Sequence, residues 1–91
     1  MTPMSAEDRK THTLKTWREF YEAIEDGSKR FEVRKDDRGF TVGDYLWLRE
    51  WLPHAQAYSG AIMTVRVTYV LRGGQWGIMP GYVVMGIEPC P

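Results

Sequence analysis

The hydrophobic positions first recur with the period of a helix. An apolar stripe at three- and four-residue spacing is formed by Phe20, Tyr21, Ala23 and Ile24. The preceding residues, Thr16 to Glu19, have the spacing of a capping box, and Gly27 follows the stripe. We therefore predict one helix of about three turns, with Thr16 as its N-terminal cap and Gly27 as its left-handed C-terminal cap.

After the helix the hydrophobic period changes to two, which is typical of β-strands. Strands are predicted over Phe31 to Lys35, Tyr45 to Trp51, Ala61 to Leu71 and Tyr82 to Glu88. In the first of these, Phe31 and Val33 are expected to face the core, with Glu32 and Arg34 on the other face. The third strand is long enough to indicate a bend or barrel curvature. Leu14 lies in a short extended segment before the helix.

The order of these elements predicts an α+β fold. One helix followed by four or five strands, without β–α–β alternation, is best closed as a small mixed β-barrel of about five strands capped by the N-terminal helix. At 91 residues the chain has room for one domain. We place that domain over residues 12–88, after a flexible lead (1–11) and before a short C-terminal tail (89–91).

Composition limits the partners. Twelve basic residues balance twelve acidic ones, so contact with nucleic acid requires a local basic patch. Cys90 is the single cysteine, which excludes an internal disulfide. The first ten residues are polar, and no apolar run approaches the roughly 18 residues of a spanning helix. We expect a cytoplasmic protein without a membrane partner.

Charged residues concentrate where the helix ends and the first of the four predicted strands begins. Lys29, Glu32 and Arg34 surround Phe31 and Val33 within residues 27–34. One interpretation is a solvated strand face with a surface ion pair, which contributes about 0 to 1 kcal/mol. The other interpretation is a binding site. The spacing alone favours the solvated face, and the context of the segment in the chain supports the site.

The segment matches a known signature. Gly27, Lys29, Glu32 and Arg34 fit the G-x-K-x-x-E-x-R pattern of the ASCH domains, small barrels of the PUA-like group, at all four positions. Residues 12–15, 34–38, 42–46 and 73–77 look like a compact, uncharacterised bacterial and phage subfamily of that group. The resemblance covers residues 12–88 and implies a PUA-like barrel, a cleft between barrel and helix lined by the signature, and binding of RNA or a nucleotide.

Some members of the group that the chain resembles are enzymes, including hydrolases of acylated cytidine and ribonucleases. The threonine nucleophile of those hydrolases is missing here, since Glu32 or Phe31 takes its position. Because Lys29 and Arg34 favour the ionised carboxylate, Glu32 is a better fixed acceptor than proton donor. If the protein is a hydrolase, Lys29 or His12 activates water and Glu32 orients it.

Metal sites have little support in the sequence. The two histidines, His12 and His54, lie far apart without a cysteine pair, so we expect no zinc. Asp36, Asp37 and Asp44 either hold a magnesium ion or, as is commoner for such residues, form turns. We expect neither a metal nor a cofactor.

Other features of the sequence predict structure rather than function. Gly73–Gly77 lacks the Lys-Ser/Thr ending of a phosphate-binding loop and is followed by a strand, so it predicts a turn. Trp17, Trp47 and Trp51 are expected to pack in the core or against the helix.

The binding interpretation brings eight residues to the cleft: His12, Lys15, Lys29, Glu32, Arg34, Lys35, Trp76 and Tyr82. The cations would hold phosphate, and the planar fork of Arg34 suits bidentate contact. Glu32 would accept a hydrogen bond from an exocyclic amine. Trp76 and Tyr82 either stack on an unpaired base or belong to the core. His12 either makes a structural hydrogen bond or contacts the ligand.

The sequence therefore predicts an RNA- or nucleotide-binding module that uses a cationic cleft between helix and barrel. Two alternatives stay open. One is a small hydrolase acting on a modified nucleoside of the acylated cytidine type or on RNA. The other is a phage or host accessory domain that binds a protein partner.

Overall fold

The computed structural model describes residues 10–90. Its elements in chain order are β1 (Thr11–Trp17), α1 (Arg18–Glu25), β2 (Phe31–Lys35), β3 (Tyr45–Leu52), β4 (Ala57–Arg72) and β5 (Tyr82–Pro89). Most of the predicted N-terminal lead and the final residue of the tail lie outside the described residues. No helix within residues 10–90 is long and apolar enough to cross a membrane.

The five strands form one sheet in the order β1-β3-β4-β5-β2. β1 runs parallel to β3, and the other neighbours are antiparallel. The sheet curls into a half-barrel, in which β1 and β2 are the edges. The predicted α+β class with a curved sheet is confirmed, while the predicted closed barrel is replaced by an open one.

Irregular pairing along β4 produces the curl. The register shifts between Arg49 and Trp51 in the pairing of β3 with β4, and again between Val67 and Tyr69 in the pairing of β4 with β5. Such bulges bend a strand and increase its twist. These two irregularities fit the bend or barrel curvature predicted from the length of this strand.

The core occupies the concave side of the sheet. Its buried side chains come from alternate strand positions, from α1 and from the segment before β3: Leu14, Tyr21, Ile24, Phe40, Leu46, Leu48, Val65, Val67, Val83, Met85 and Ile87. The helix packs against β1 and β3. It inserts Tyr21 and Ile24 into the core, and these are its two buried residues.

The start of the helix differs from the prediction. Thr16 belongs to β1, and Trp17 is the N-cap without a side-chain capping hydrogen bond. The predicted capping box is wrong because Thr16 and Trp17 pair with Glu50 and Trp51 of β3. The helix consequently has eight residues, about two turns. Its end is as predicted, since Gly27 has a φ of 87°.

The faces of β2 are opposite to the prediction. Phe31 and Val33 are 47% and 51% exposed, whereas Glu32 is only 3% exposed. In register, Glu32 pairs with Met85 and so shares the concave face with a core residue. The alternation is as predicted, but the face that carries Glu32 points inwards, where Lys29 and Arg34 pair with the carboxylate.

Two of the tryptophans expected in the core are also on the surface. Trp17 and Trp47 are about half exposed, and Trp51 is partly buried. The largest fully buried side chain is instead Phe40, whose ring meets His12 edge-on at 4.7 Å between centroids. The tryptophans alternate with the leucines of β3, so they lie on the convex face while the leucines fill the core.

A buried carboxylate connects β1 to the start of β3. Asp44 is fully buried and accepts hydrogen bonds from the His12 ring (2.9 Å), from the backbone and hydroxyl of Thr41, and from the Lys10 backbone. Burial by itself raises the pKa of Asp44, but these hydrogen bonds outweigh burial and hold the pKa below its usual value. His12 thus has the structural hydrogen bond that was one of its two expected roles.

We predict that Asp44→Asn lowers the free energy of unfolding by about 1 to 3 kcal/mol at pH 6, because buried donors lose their acceptor. Since the pKa of Asp44 is lower in the folded chain, its stabilisation is complete well above about pH 4 and is lost as the pH falls. Urea unfolding at pH 6 and pH 3 should show the gap between wild type and variant narrowing. Asp37→Asn, at an exposed carboxylate, is the control. A difference in stability between wild type and Asp44→Asn that is equally large at both pH values would contradict the prediction.

Candidate functional site

A pocket of about 500 Å³ lies between the two edge strands of the half-barrel. We call the gap between β1 and β2 the seam, and this cavity the seam pocket. Its lining comes from the end of β1, the start of α1, the residue two before β2, and β2 itself: Lys15, Thr16, Trp17, Phe20, Lys29, Phe31, Glu32, Val33 and Arg34. The seam pocket therefore contains the three charged residues of the signature.

Glu32 holds the other two charged signature residues in place. One carboxylate oxygen, Oε1, accepts a hydrogen bond from Lys29 Nζ at 2.6 Å, and Oε2 accepts one from Arg34 Nε at 2.9 Å. A buried carboxylate is costly unless it is paired and hydrogen-bonded. Here each oxygen has its own cation, which explains how an acidic residue occupies the concave face.

Arg34 also connects the two edges of the sheet. Its Nη2 donates to the Lys15 carbonyl at 2.8 Å and to Thr16 Oγ1 at 3.3 Å. Further along the seam, Arg38 Nη1 donates to the Thr13 carbonyl at 2.7 Å. Arginine side chains thus satisfy carbonyls on the free edge of β1 that would accept backbone hydrogen bonds in a closed barrel.

The end of the helix positions Lys29. After the left-handed Gly27, the Lys29 backbone N–H donates to the Ala23 carbonyl at 2.9 Å, which directs the chain back across the helix end. Its ammonium group also donates to the Phe31 carbonyl at 2.6 Å. The same group lies 4.8 Å from the ring centre of Phe31 and 5.6 Å from that of Phe20, within range of cation–π attraction.

The seam pocket combines a charged floor with apolar walls. Trp17, Phe20, Phe31 and Val33 are about half exposed around the buried ion pairs. Three cations and one carboxylate line the cavity, so it is locally positive although the whole chain is formally neutral. The seam pocket is therefore a local basic patch on a chain of balanced charge.

Four of the eight predicted ligand-binding residues line the seam pocket: Lys15, Lys29, Glu32 and Arg34. The other four, His12, Lys35, Trp76 and Tyr82, do not. His12 is buried against Asp44, while Lys35 and Tyr82 pair with each other at the far end of β2. Trp76 projects from the loop between β4 and β5 and is 77% exposed, which excludes its assignment to the core. A ligand contact for these four remains a prediction.

Sequence reasoning missed five lining residues: Thr16, Trp17, Phe20, Phe31 and Val33. Thr16 was assigned to a helix cap and three of the others to core packing. The place of Thr16 and Trp17 follows from the parallel pairing of β1 with β3, which leaves β1 as one edge of the half-barrel and β2 as the other. For Phe31 and Val33 the local signal is the alternation in β2. Once Glu32 is placed on the buried face, both of these side chains must face outwards.

The aspartates considered for magnesium have protein partners. Asp36 accepts a hydrogen bond from the Phe40 backbone and pairs with Arg72, Asp37 lies near Arg38, and Asp44 is fully occupied. Among residues 10–90, no group of three His, Cys, Asp or Glu side chains is arranged to hold a metal ion. Protein donors thus engage the carboxylates of Asp36 and Asp44, and Asp37 is paired with Arg38.

Comparison with known proteins relates the chain to a domain family and to a phage protein. A family model described as "Domain of unknown function (DUF3850)" matches residues 11–87, a range that includes every residue of the seam pocket. The chain is also 32% identical over 76 residues to the "Uncharacterized 12.9 kDa protein in GpA 3'region" of Escherichia phage P2. That alignment covers 84% of this chain and 66% of the phage protein.

We predict that Arg34→Lys weakens the seam, because lysine keeps the charge but lacks the fork that reaches both Glu32 and β1. The free energy of unfolding should fall by about 1 to 3 kcal/mol. Compared with wild type, amide hydrogen exchange in the variant should also accelerate more in β1 than in β4. Arg18→Lys, in an exposed pair with Glu22, serves as the matched control. Unchanged exchange in β1 of the Arg34 variant would contradict a bridging role.

Proposed function

The chain belongs to the domain family DUF3850, whose function is unknown, and we propose that its seam pocket binds a nucleotide, either free or as one unit of single-stranded RNA. The observation that carries this proposal is the buried Glu32, which holds Lys29 and Arg34 at the floor of a cavity walled by aromatic rings. A fixed cationic floor suits a phosphate, and flat apolar walls suit a base. The two chemistries meet in one cavity.

The phosphate would bind to donors that the internal contacts leave over. An ammonium group has three N–H donors, and Lys29 uses two of them, on Glu32 and on the Phe31 carbonyl. A guanidinium has five, and the described bonds of Arg34 run through Nε and Nη2, leaving the two donors of Nη1. Lys15 at the rim adds a third positive charge. Together these groups offer bidentate and point-charge contacts to one anion.

The base would lie against the apolar walls. Phe31 and Phe20 flank the ammonium group of Lys29, and Trp17 lines the same cavity. Stacking of a base on an aromatic side chain contributes about 1 to 3 kcal/mol and tolerates every base. This arrangement supports binding of an unpaired nucleotide rather than of a duplex, whose bases are already stacked.

In this proposal Glu32 is a positioning residue. Both of its oxygens accept hydrogen bonds from cations, and only 3% of the residue is exposed. Direct recognition of an exocyclic amine by Glu32 would need the ligand to reach past these contacts. Its main effect is therefore to orient Lys29 and Arg34 before the ligand arrives, which lowers the entropic cost of binding.

We also propose that the chain is a compact member of the ASCH group with a PUA-like fold. The support is that Lys29, Glu32 and Arg34 of the G-x-K-x-x-E-x-R signature meet at one pocket directly after a Gly27 turn. The open half-barrel with a helix beside its seam is compatible with the cleft that the resemblance implies. The proposal that the ligand is RNA or a nucleotide comes from the same resemblance.

We predict that cytidine 5′-monophosphate binds to the wild-type protein and that Lys29→Met weakens this binding at least about tenfold, because a charge-assisted hydrogen bond is lost while the side-chain stem stays. Isothermal titration calorimetry at two salt concentrations measures the effect, and affinity should fall as salt increases. Lys10→Met is the matched control, since the exposed Lys10 side chain lies outside the pocket.

The same measurements separate the alternatives. Equal affinity of wild type and Lys29→Met, or no binding of any of the four nucleoside monophosphates, would refute nucleotide binding in the seam pocket. Release of the acyl group from an acylated cytidine, or cleavage of RNA, would instead identify a hydrolase. If Lys29→Met only lowers the melting temperature and affects no ligand, the charge cluster is structural and a protein partner becomes the better explanation.

A further inference from the structure

A second surface with the chemistry of nucleic-acid binding lies on the convex side of the sheet and adjoins the seam pocket. We call it the outer aromatic face and define it by Lys15, Trp17, Trp47, Arg49, Trp51 and Tyr58. The register pairs Lys15 with Arg49, Trp17 with Trp51, and Trp51 with Tyr58. Side chains of paired residues share a face of the sheet, so these positions form one continuous strip across β1, β3 and β4.

Cations and rings on this face are stacked on each other. Lys15 Nζ lies 3.9 Å from the ring centre of Trp51, and the Arg49 guanidinium lies 3.7 Å from that of Tyr58. Trp51 and Tyr58 meet edge-on at 5.0 Å. Trp47, 47% exposed, stands beyond them on β3. Arginine planes and aromatic rings are both platforms on which unpaired bases stack.

The outer aromatic face begins where the seam pocket ends. Lys15 and Trp17 line the pocket and also belong to the face, so a strand leaving the pocket meets Trp51 next to them. Trp47 lies four residues further along β3, about 13 Å away at the usual strand rise. The face therefore continues the cavity across the sheet without an intervening element.

The charges on the face favour a polyanion as its occupant. Its charged members, Lys15 and Arg49, are both cations, while Glu50 alternates to the opposite side of β3 and acts on Arg18 of the helix. If a second copy of this chain packed on this face, Lys15 and Arg49 of one copy would lie against the same cations of the other. A ribose-phosphate backbone instead neutralises them and leaves its bases free to stack.

We infer that the outer aromatic face binds the segment of single-stranded RNA that extends from a nucleotide held in the seam pocket. The inference rests on the proposed function for the pocket and adds a further site along β3, with the exposed Trp47 as its stacking platform and Lys15 and Arg49 as phosphate contacts. The protein would then discriminate an RNA strand from a free nucleotide, which contacts the pocket alone.

The test compares a hexacytidylate RNA with cytidine 5′-monophosphate. Fluorescence anisotropy of a labelled hexamer, with the mononucleotide as competitor, gives both affinities. We expect wild type to prefer the hexamer at least about tenfold, and Trp47→Ala to lose at least about fivefold of hexamer affinity with mononucleotide affinity unchanged. Arg49→Gln should act in the same direction. Tyr69→Ala, at another exposed aromatic outside the face, is the control, and circular dichroism verifies that each variant is folded.

The outcomes separate this inference from the proposed function. If wild type binds both probes with the same affinity, or if folded Trp47→Ala and Arg49→Gln bind the hexamer as wild type does, the inference is overturned while the pocket stands. If the hexamer binds in a Trp47-dependent way but Lys29→Met has no effect, the pocket proposal fails and the extension from the pocket fails with it, although the face still binds RNA. If wild type binds neither the hexamer nor the mononucleotide, both the proposed function and this inference are overturned. A wild-type dimer that Trp47→Ala converts to a monomer, with hexamer affinity unchanged, assigns the face to a second copy instead.

Discussion

The burial of Glu32 is the constraint from which the rest of the site follows. A carboxylate on the concave face of a sheet needs compensation within hydrogen-bond distance, and Lys29 and Arg34 provide it from either side. Meeting this need turns β2 so that Phe31 and Val33 face outwards. Both cations keep further N–H donors at the cavity surface. The groups that make the burial of Glu32 possible are therefore also the groups that would bind a ligand.

The open sheet gives these residues their place. Five strands of this length form a half-barrel with two free edges, and free edges normally need protection from unwanted pairing. In this protein Arg34 and Arg38 reach across the gap to carbonyls of β1. Two strands joined by side chains lie farther apart than two strands joined by backbone hydrogen bonds. The wider gap between β1 and β2 provides the space for the cavity.

Local signals in the sequence were sufficient for the elements, and non-local pairing decided the errors. The Gly27 turn, the four strands and the bend of β4 follow from glycine placement, alternation and length. The predicted helix start at Thr16 is wrong because β1 extends to Trp17 by pairing with β3, 34 residues away at this position. The inward face of β2 and the outward tryptophans depend in the same way on which neighbour each strand acquires, and no local window contains that information.

The strand order has a consequence for how the pocket comes into being during synthesis. β2 pairs only with β5, so Phe31 meets Gly86 across 55 positions of chain. Closing so long a loop is slow compared with forming the helix beside it. On a ribosome, Lys29, Glu32 and Arg34 emerge early yet have no sheet to lie on until β5 leaves the exit tunnel. The nascent chain thus carries the residues of the site long before it has the site.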